Sequence, residues 1–179
     1  MIKVFSFRPE FFNQNGDQGN LEALASYTNS ELESSSIKEA DFVLFGDASR
    51  AAMREFQSEL IGYLPDLQSR FDQGLPTLIV GSCFELLAPK LAGASAFSYG
   101  RRTSEFRRVI DDGVEVFGYR NSEVTSPDLL VKGAFVGTTL FGPVVAKNLG
   151  IAQMFADALG KQINLSDSQR EWISKITSG

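Results

Sequence analysis

The sequence predicts an α/β domain with a mainly parallel sheet and an antiparallel hairpin extension. Three observations carry this reading. Two short, mostly apolar, β-prone runs (residues 41–45 and 75–80) are each followed by a glycine and then by a helical pattern, as buried parallel strands are. Strand, turn and helix then repeat with no linker between them. Asp111-Asp112-Gly113 stands between two β-prone runs, which is a hairpin signal. The usual domain holds about 100–200 residues. The chain's 179 residues therefore fit one domain spanning 1–179.

The elements follow in order. Ile2, Val4 and Phe5 mark a first strand over 2–6. Residues 9–20 form a long polar loop, punctuated by Asn13, Asn15, Gly16, Asp17 and Gly19. Leu21, Leu24 and Ala25 at helical spacing predict a helix over 19–29, with Asn20 as its N-cap. The polar stretch 30–36 holds a short strand or a loop. The run 41–45 is the next strand, ending at Gly46-Asp47. Met53, Phe56, Leu60 and Leu64 predict a helix over 50–70, broken or restarted at Pro65. The run 75–80 ends at Gly81-Ser82, and 85–91 begins another helix, with Pro89 in its first turn or just past its end. The hairpin strands are 106–110 and 114–119, and 129–135 and 138–141 read as further strands. Ile151, Met154, Phe155 and Leu159 share one face of a helix over 148–159. A last helix spans 167–176, with Ser166 and Gln169 as a capping box and Trp172, Ile173 and Ile176 on one side, for the core or for a partner helix.

Composition narrows the chemistry. The chain has no histidine and one cysteine, Cys83. Ser-His-Asp and Cys-His catalysis within the chain is thereby excluded, and so are His- or thiolate-held zinc sites and an internal disulfide. Composition leaves acidic Mg²⁺ sites and lysine or carboxylate chemistry open, but no cofactor or metal is expected. With 17 basic and 22 acidic residues the net charge is −5, which argues against a nucleic-acid partner. No apolar run is long enough to span a bilayer, and residues 1–5 lack the apolar core of a signal peptide, so a cytoplasmic location is expected.

Ligands of open α/β sheets bind beyond the carboxyl ends of the strands. The loops 8–20, 46–50 and 81–85 should converge there, with 137–147 able to close the site. Four segments in these loops carry a resemblance. Gly16-Asp17-Gln18-Gly19-Asn20-Leu21 is similar to an Asp-x-Gly-Asn loop, and 41–50 to a strand and glycine turn that supplies part of an oxyanion hole. Residues 76–87 match a nucleophile-elbow segment, and 137–148 match the segment that carries a catalytic histidine. Together they resemble the class I glutamine amidotransferases, in the branch of cobyric acid synthase, and within it the amidotransferase subunits of lipid II isoglutaminyl synthases. The resemblance covers about residues 9–150. It implies a three-layer, flavodoxin-like class I glutamine amidotransferase fold and a Mur-ligase-like or other synthetase partner.

The same resemblance exposes departures. The family elbow reads Cys-Gly-Gly-Tyr-Gln-Leu-Leu; without a gap its nucleophile falls on Gly81 and its glutamine on Glu85. The catalytic histidine falls on Phe141, and a second family histidine on Ser122. The substrate-gripping arginine falls on Arg101 or Arg102. No catalytic residue is therefore expected, and a degenerate, non-glutaminase partner or regulatory domain is the first reading. Cys83 is either a buried hydrophobe or a relocated nucleophile activated by a helix N-terminus, which would make the chain an enzyme of altered chemistry. A small-molecule binding domain is the third reading. Its pocket candidates are Asp17, Asn20, Gly46, Asp47, Arg50, Ser82, Cys83, Glu85, Arg101, Arg102 and Asn121. The cluster Arg101, Arg102, Arg107 and Arg108 is either a phosphate contact or a solvated hairpin face.

Overall fold

In the computed structural model, which describes residues 1–178, strand and helix alternate from the start of the chain. β1 (Ile2–Ser6) leads through the polar loop into α1 (Gly19–Thr28), and β2 (Leu32–Ser34) follows. Gln18, not Asn20, takes the N-cap position of α1; Asn20 lies one residue inside the helix. β3 (Phe42–Phe45) leads into α2 (Arg50–Glu55), α3 (Gln57–Gly62) and α4 (Leu64–Gln73). The single helix expected over 50–70 is thus three. Pro65 opens the last of them, in a first turn where its missing N–H leaves no hydrogen bond unmade.

β4 (Thr77–Val80) passes with no intervening loop into α5 (Gly81–Leu87), so this helix starts at Gly81 and not at Glu85. Pro89 lies past its end, in a short 3₁₀ turn. β5 (Ser98–Asp111) and β6 (Val114–Ser126) form a hairpin far longer than the apolar pattern predicts. Asp112 and Gly113 turn it with φ of +46° and +75°, the two positive angles of a type I′ turn. The strand expected over 129–135 is divided into β7 (Leu129–Lys132) and β8 (Phe135–Thr138), because Gly133 reverses the chain against Gly74. β9 (Leu140–Phe141), α6 (Val144–Lys147), α7 (Leu149–Ala158) and α8 (Asp167–Ser178) complete the fold. The capping box of α8 forms: Gln169 N–H donates to Ser166 Oγ at 3.3 Å, and Ser166 N–H to Gln169 Oε1 at 2.9 Å.

The main sheet has the order β2-β1-β3-β4-β8-β7, parallel from β2 to β8, with β7 antiparallel at the edge. Alternation along the strands divides the core in two. Phe42, Leu44, Leu78 and Val80 pack with Leu24 of α1, Val145 of α6 and Phe155 of α7. Val43, Phe45 and Ile79 pack with Leu60, Leu67, Phe71 and Phe84 of α3 to α5 on the other face. Helices on both sides of a sheet ordered 2-1-3-4 and onward make a three-layer, flavodoxin-like arrangement, with its crevice at the carboxyl ends of the strands.

β5, β6 and β9 form a second, antiparallel sheet. It is tied down through Arg120, whose side chain is 1% exposed. Arg120 Nε lies 2.6 Å from Asp128 Oδ1, Arg107 Nη1 lies 2.7 Å from Asp128 Oδ2, and Thr139 Oγ1 donates to Asp128 at 2.7 Å. Among the described residues no helix is long and apolar enough to cross a membrane.

Candidate functional site

Gly81 sits where β4 turns into α5, with φ +56°. That is the left-handed region, in which a side chain is strained. Space forbids one as well. A β-carbon on Gly81 would lie 2.6 Å from Asp47 Oδ1 and 2.7 Å from Phe141 Cε1.

Asp47, two residues past β3, folds its carboxylate onto this elbow. Its Oδ1 accepts from the Ser82 N–H at 2.8 Å and from the Ser82 hydroxyl at 2.6 Å. Its Oδ2 accepts from Asn15 Nδ2 at 2.7 Å. The Asp47 N–H in turn donates to Asp17 Oδ2 at 3.0 Å, and the Ala48 N–H donates to Ser82 Oγ at 3.2 Å. Three backbone amides that converge at the elbow are thus already bonded inside the chain. An oxyanion formed there would have to displace the Asp47 carboxylate to reach the Ser82 amide.

The first loop is built to hold this arrangement. Gly46 has no room for a side chain, since a β-carbon would lie 2.1 Å from the Phe12 carbonyl oxygen. Asn20 bridges two elements: its Nδ2 donates to the Asp17 carbonyl at 2.9 Å, and its Oδ1 accepts from Val145 N–H at 2.8 Å. Asp17 is fully buried beneath Asp47, and its Oδ1 has no hydrogen-bond partner among the described residues. Burial raises its pKa to about 7; the Asp47 N–H bond opposes the rise and the Asp47 charge adds to it. Burial lowers the pKa of Lys147, against the attraction of Asp17.

Above the elbow lies a cleft of about 280 Å³. Of the sequence candidates, Asp47, Arg50, Ser82, Glu85, Arg102 and Asn121 line it together with Phe141. Glu85 accepts a hydrogen bond from Ser122, the position matched to the second family histidine. Burial raises the Glu85 pKa, with the Ser122 hydroxyl opposing. Asp17, Asn20 and Gly46 lie beneath the cleft as its support. Arg101 is exposed on β5 and is not among the lining residues. Cys83 points into the core between the sheet and α2 to α5, fully buried. Burial pushes its thiol well up, and the Asp47 and Asp17 charges add to the rise, opposite to the lowering expected from a helix N-terminus.

Gln14, Asn15, Ala48, Ser49 and Tyr119 also line the cleft and were not singled out as candidates. Asn15 and Ser49 carry a signal in the sequence, as polar residues in loops that follow strands. Tyr119 reads only as a hairpin aromatic. Among the described residues no group of three His, Cys, Asp or Glu side chains could hold a metal ion.

No protein-family model and no curated protein matches the chain. Among solved structures, a glutamine amidotransferase from Thermotoga maritima aligns over 89% of this chain and 82% of its own, with a TM-score of 0.53 and 19% identity. The likeness is one of fold. It agrees with the flavodoxin-like class I glutamine amidotransferase architecture that the four sequence segments imply.

Proposed function

We propose that this chain, read as one domain over 1–179, is a glutamine amidotransferase-like domain that does not hydrolyse glutamine and acts by binding. The observation that carries this is the occupied elbow. Gly81 supplies no nucleophile, and the Asp47 carboxylate stands where a nucleophile's side chain would, on the Ser82 amide. Phe141 supplies no base. Glutaminase chemistry in such a fold needs a thiolate, a base and free oxyanion donors, and each is replaced. Cys83 is a poor substitute, because it is buried away from the cleft with its thiol pKa raised.

Two kinds of partner fit this reading. The segment resemblance to the cobyric acid synthase branch, and to lipid II isoglutaminyl synthase subunits, favours a cytoplasmic Mur-ligase-like or other synthetase subunit in cell-wall or cobyric-acid-type amidation. The polar cleft, with Arg50 and Arg102 against Asp47 and Glu85, favours a small ligand bearing both charges. The test is ammonia release from glutamine by the purified chain, alone and with a candidate ligase, beside Cys83→Ser and Cys83→Ala. We expect none in any setting. Release that disappears in both cysteine variants would make Cys83 a relocated nucleophile and overturn the proposal. Ligand binding is read separately as a thermal shift across amino acids and nucleotides, since a ligand of the native state raises the melting temperature.

A further inference from the structure

β5 is the outer strand of the hairpin sheet, 14 residues long, with no strand on its far side among the described residues. A long bare edge invites pairing with another chain. Phe106 and Ile110 on it are each 68% exposed. Phe106 stacks on Phe117 at 5.8 Å and meets Tyr119 edge-on at 5.2 Å, so an aromatic band crosses the exposed face of the sheet. The ladder between β5 and β6 runs without a register shift from Thr103 to Asp111. A two-residue turn makes Asp111 and Val114 a hydrogen-bonded pair, and bonding alternates from there. Glu105, Arg107 and Val109 therefore turn their backbone groups toward β6, and Ser104, Phe106 and Arg108 turn theirs outward.

We infer that two copies of this chain pair their β5 edges antiparallel about a two-fold axis at Phe106, joining the two hairpin sheets into one. Charge and ladder length together select that register: an axis at 109 or 110 sets Arg107 opposite Asp111 or Arg108 opposite Asp112 but pairs only the last few residues of β5, and an axis at 103 sets Arg101 opposite Glu105 but runs through the register shifts before Thr103. An axis at residue 105 sets Glu105 against itself, and an axis at 107 or 108 sets an arginine against itself. Like charges directly opposite destabilise a ladder. An axis at 104 places Glu105 opposite Thr103 and gains no ion pair. An axis at 106 places Glu105 opposite Arg107 of the second copy, twice by symmetry, with Ser104 opposite Arg108 and Thr103 opposite Val109; Arg107 already lies 2.7 Å from Glu105 and from Asp128 of its own chain, so the pairing extends this cluster across the seam and sets no like charges opposite. Phe106 then exchanges both backbone hydrogen bonds with its own copy. The two aromatic bands become continuous across an isologous interface. The proposal does not depend on whether the cleft is catalytic.

The test is sedimentation velocity of the full chain at tens of micromolar, where a mass of twice 19.6 kDa is expected. Glu105→Lys sets a cation against Arg107 of the second copy, and should weaken the dimer at least tenfold while the circular dichroism of the two proteins, compared at a concentration where both are monomeric, stays the same. Phe106→Cys should form a disulfide-linked dimer under mild oxidation, because directly opposite residues of such a pair lie about 5.5 Å apart, within disulfide range. Ser104→Cys should not, since its copy lies about 14 Å along the ladder. The native Cys83 is buried and does not contribute. A monomeric wild type overturns the proposal, including one whose β5 accepts a strand from a different protein. So does a dimer that Glu105→Lys leaves intact, or cross-linking at 104 as fast as at 106.

Discussion

Asp47 Oδ1 stands 2.6 Å from the point that a β-carbon on Gly81 would occupy. The two residues follow neighbouring parallel strands, β3 and β4, and the fold brings them together at the carboxyl edge of the sheet. The carboxylate fits there only because residue 81 has no side chain, and it is held there by the Ser82 amide and hydroxyl and by Asn15. Each of the two positions thus constrains the other.

Gly81→Ala should show this coupling. The substitution meets both a positive φ and three atoms of two side chains, Asp47 and Phe141, under 3.0 Å, so a loss of roughly 2–4 kcal/mol is expected. Gly16→Ala separates the two causes. Gly16 has φ +75° but nothing within 4 Å of its β-carbon position, so only the conformational cost of about 1 kcal/mol remains. In an Asp47→Gly background the cost at Gly81 should fall by about 1 kcal/mol, with the Phe141 contact persisting. Urea denaturation of the single and double variants measures each value. Equal losses at Gly16 and Gly81 would mean that the elbow is not crowded.

Asp17 predicts a pH dependence. Its pKa rises to about 7 on folding, from an ordinary carboxylate value of 3.8 in the unfolded chain. A raised folded-state pKa means that stability is fully present below the unfolded value and is lost as pH climbs through the folded one. The loss therefore runs from about pH 4 to pH 7 and levels off above, amounting to about 4 kcal/mol at 1.36 kcal/mol per unit. Asp17→Asn keeps an acceptor for the Asp47 N–H and carries no charge. It should abolish most of that slope and be the more stable protein at about pH 8. Denaturation midpoints at about pH 5 and pH 8 for both proteins decide this; a parallel slope in the variant would assign the dependence elsewhere.

Much of the fold was legible because its parallel strands are short and buried on both faces. Val43, Leu44, Phe45 and Leu78, Ile79, Val80 announce themselves by unbroken apolarity, and Asp112-Gly113 by turn chemistry. The extent of β5 and β6 was not, because β5 faces water along most of its length and alternates only from Phe106 onward. The start of α5 was missed because a strand that turns into a helix with no intervening loop leaves no turn residues to read. At the site, the loops that meet were readable from strand ends, and the departures at Gly81 and Phe141 from the family pattern. The return of Asp47 onto the elbow was not, since it depends on Ser82, 35 residues away in sequence. The same holds for Arg120, an inward-facing charge in an apolar alternation whose partner Asp128 only the fold supplies.

That buried pair is the next prediction. Removing Asp128 strands Arg120 in the interior, so Asp128→Ala should cost about 3–5 kcal/mol. Arg107→Ala removes a half-exposed partner of the same carboxylate and should cost about 1 kcal/mol or less. Burial would raise the Asp128 pKa, but the bonds from Arg120, Thr139 and Arg107 win and lower it. Its contribution is accordingly present above the unfolded carboxylate pKa and lost as pH falls through the folded value. Thermal melts of the two variants at neutral pH rank the partners; a larger loss at Arg107 would reverse the roles assigned to them.

Cys83 gives the last test, and it bears on how the glutaminase experiment is controlled. A fully buried thiol whose pKa burial has raised reacts only when the structure opens. Iodoacetamide should therefore modify the native chain at least about a thousandfold more slowly than a free thiol, with full reactivity restored in denaturant. A native rate equal to that of a free thiol would place the sulfur at an accessible site. The same burial makes Cys83→Ser an imperfect control. It sets a hydroxyl among Ile79, Phe84 and Leu87 and should cost about 1–3 kcal/mol, whereas Cys83→Ala leaves only a small void. Loss of any activity in the serine variant alone would thus report unfolding, and only parallel loss in the alanine variant would implicate the sulfur itself.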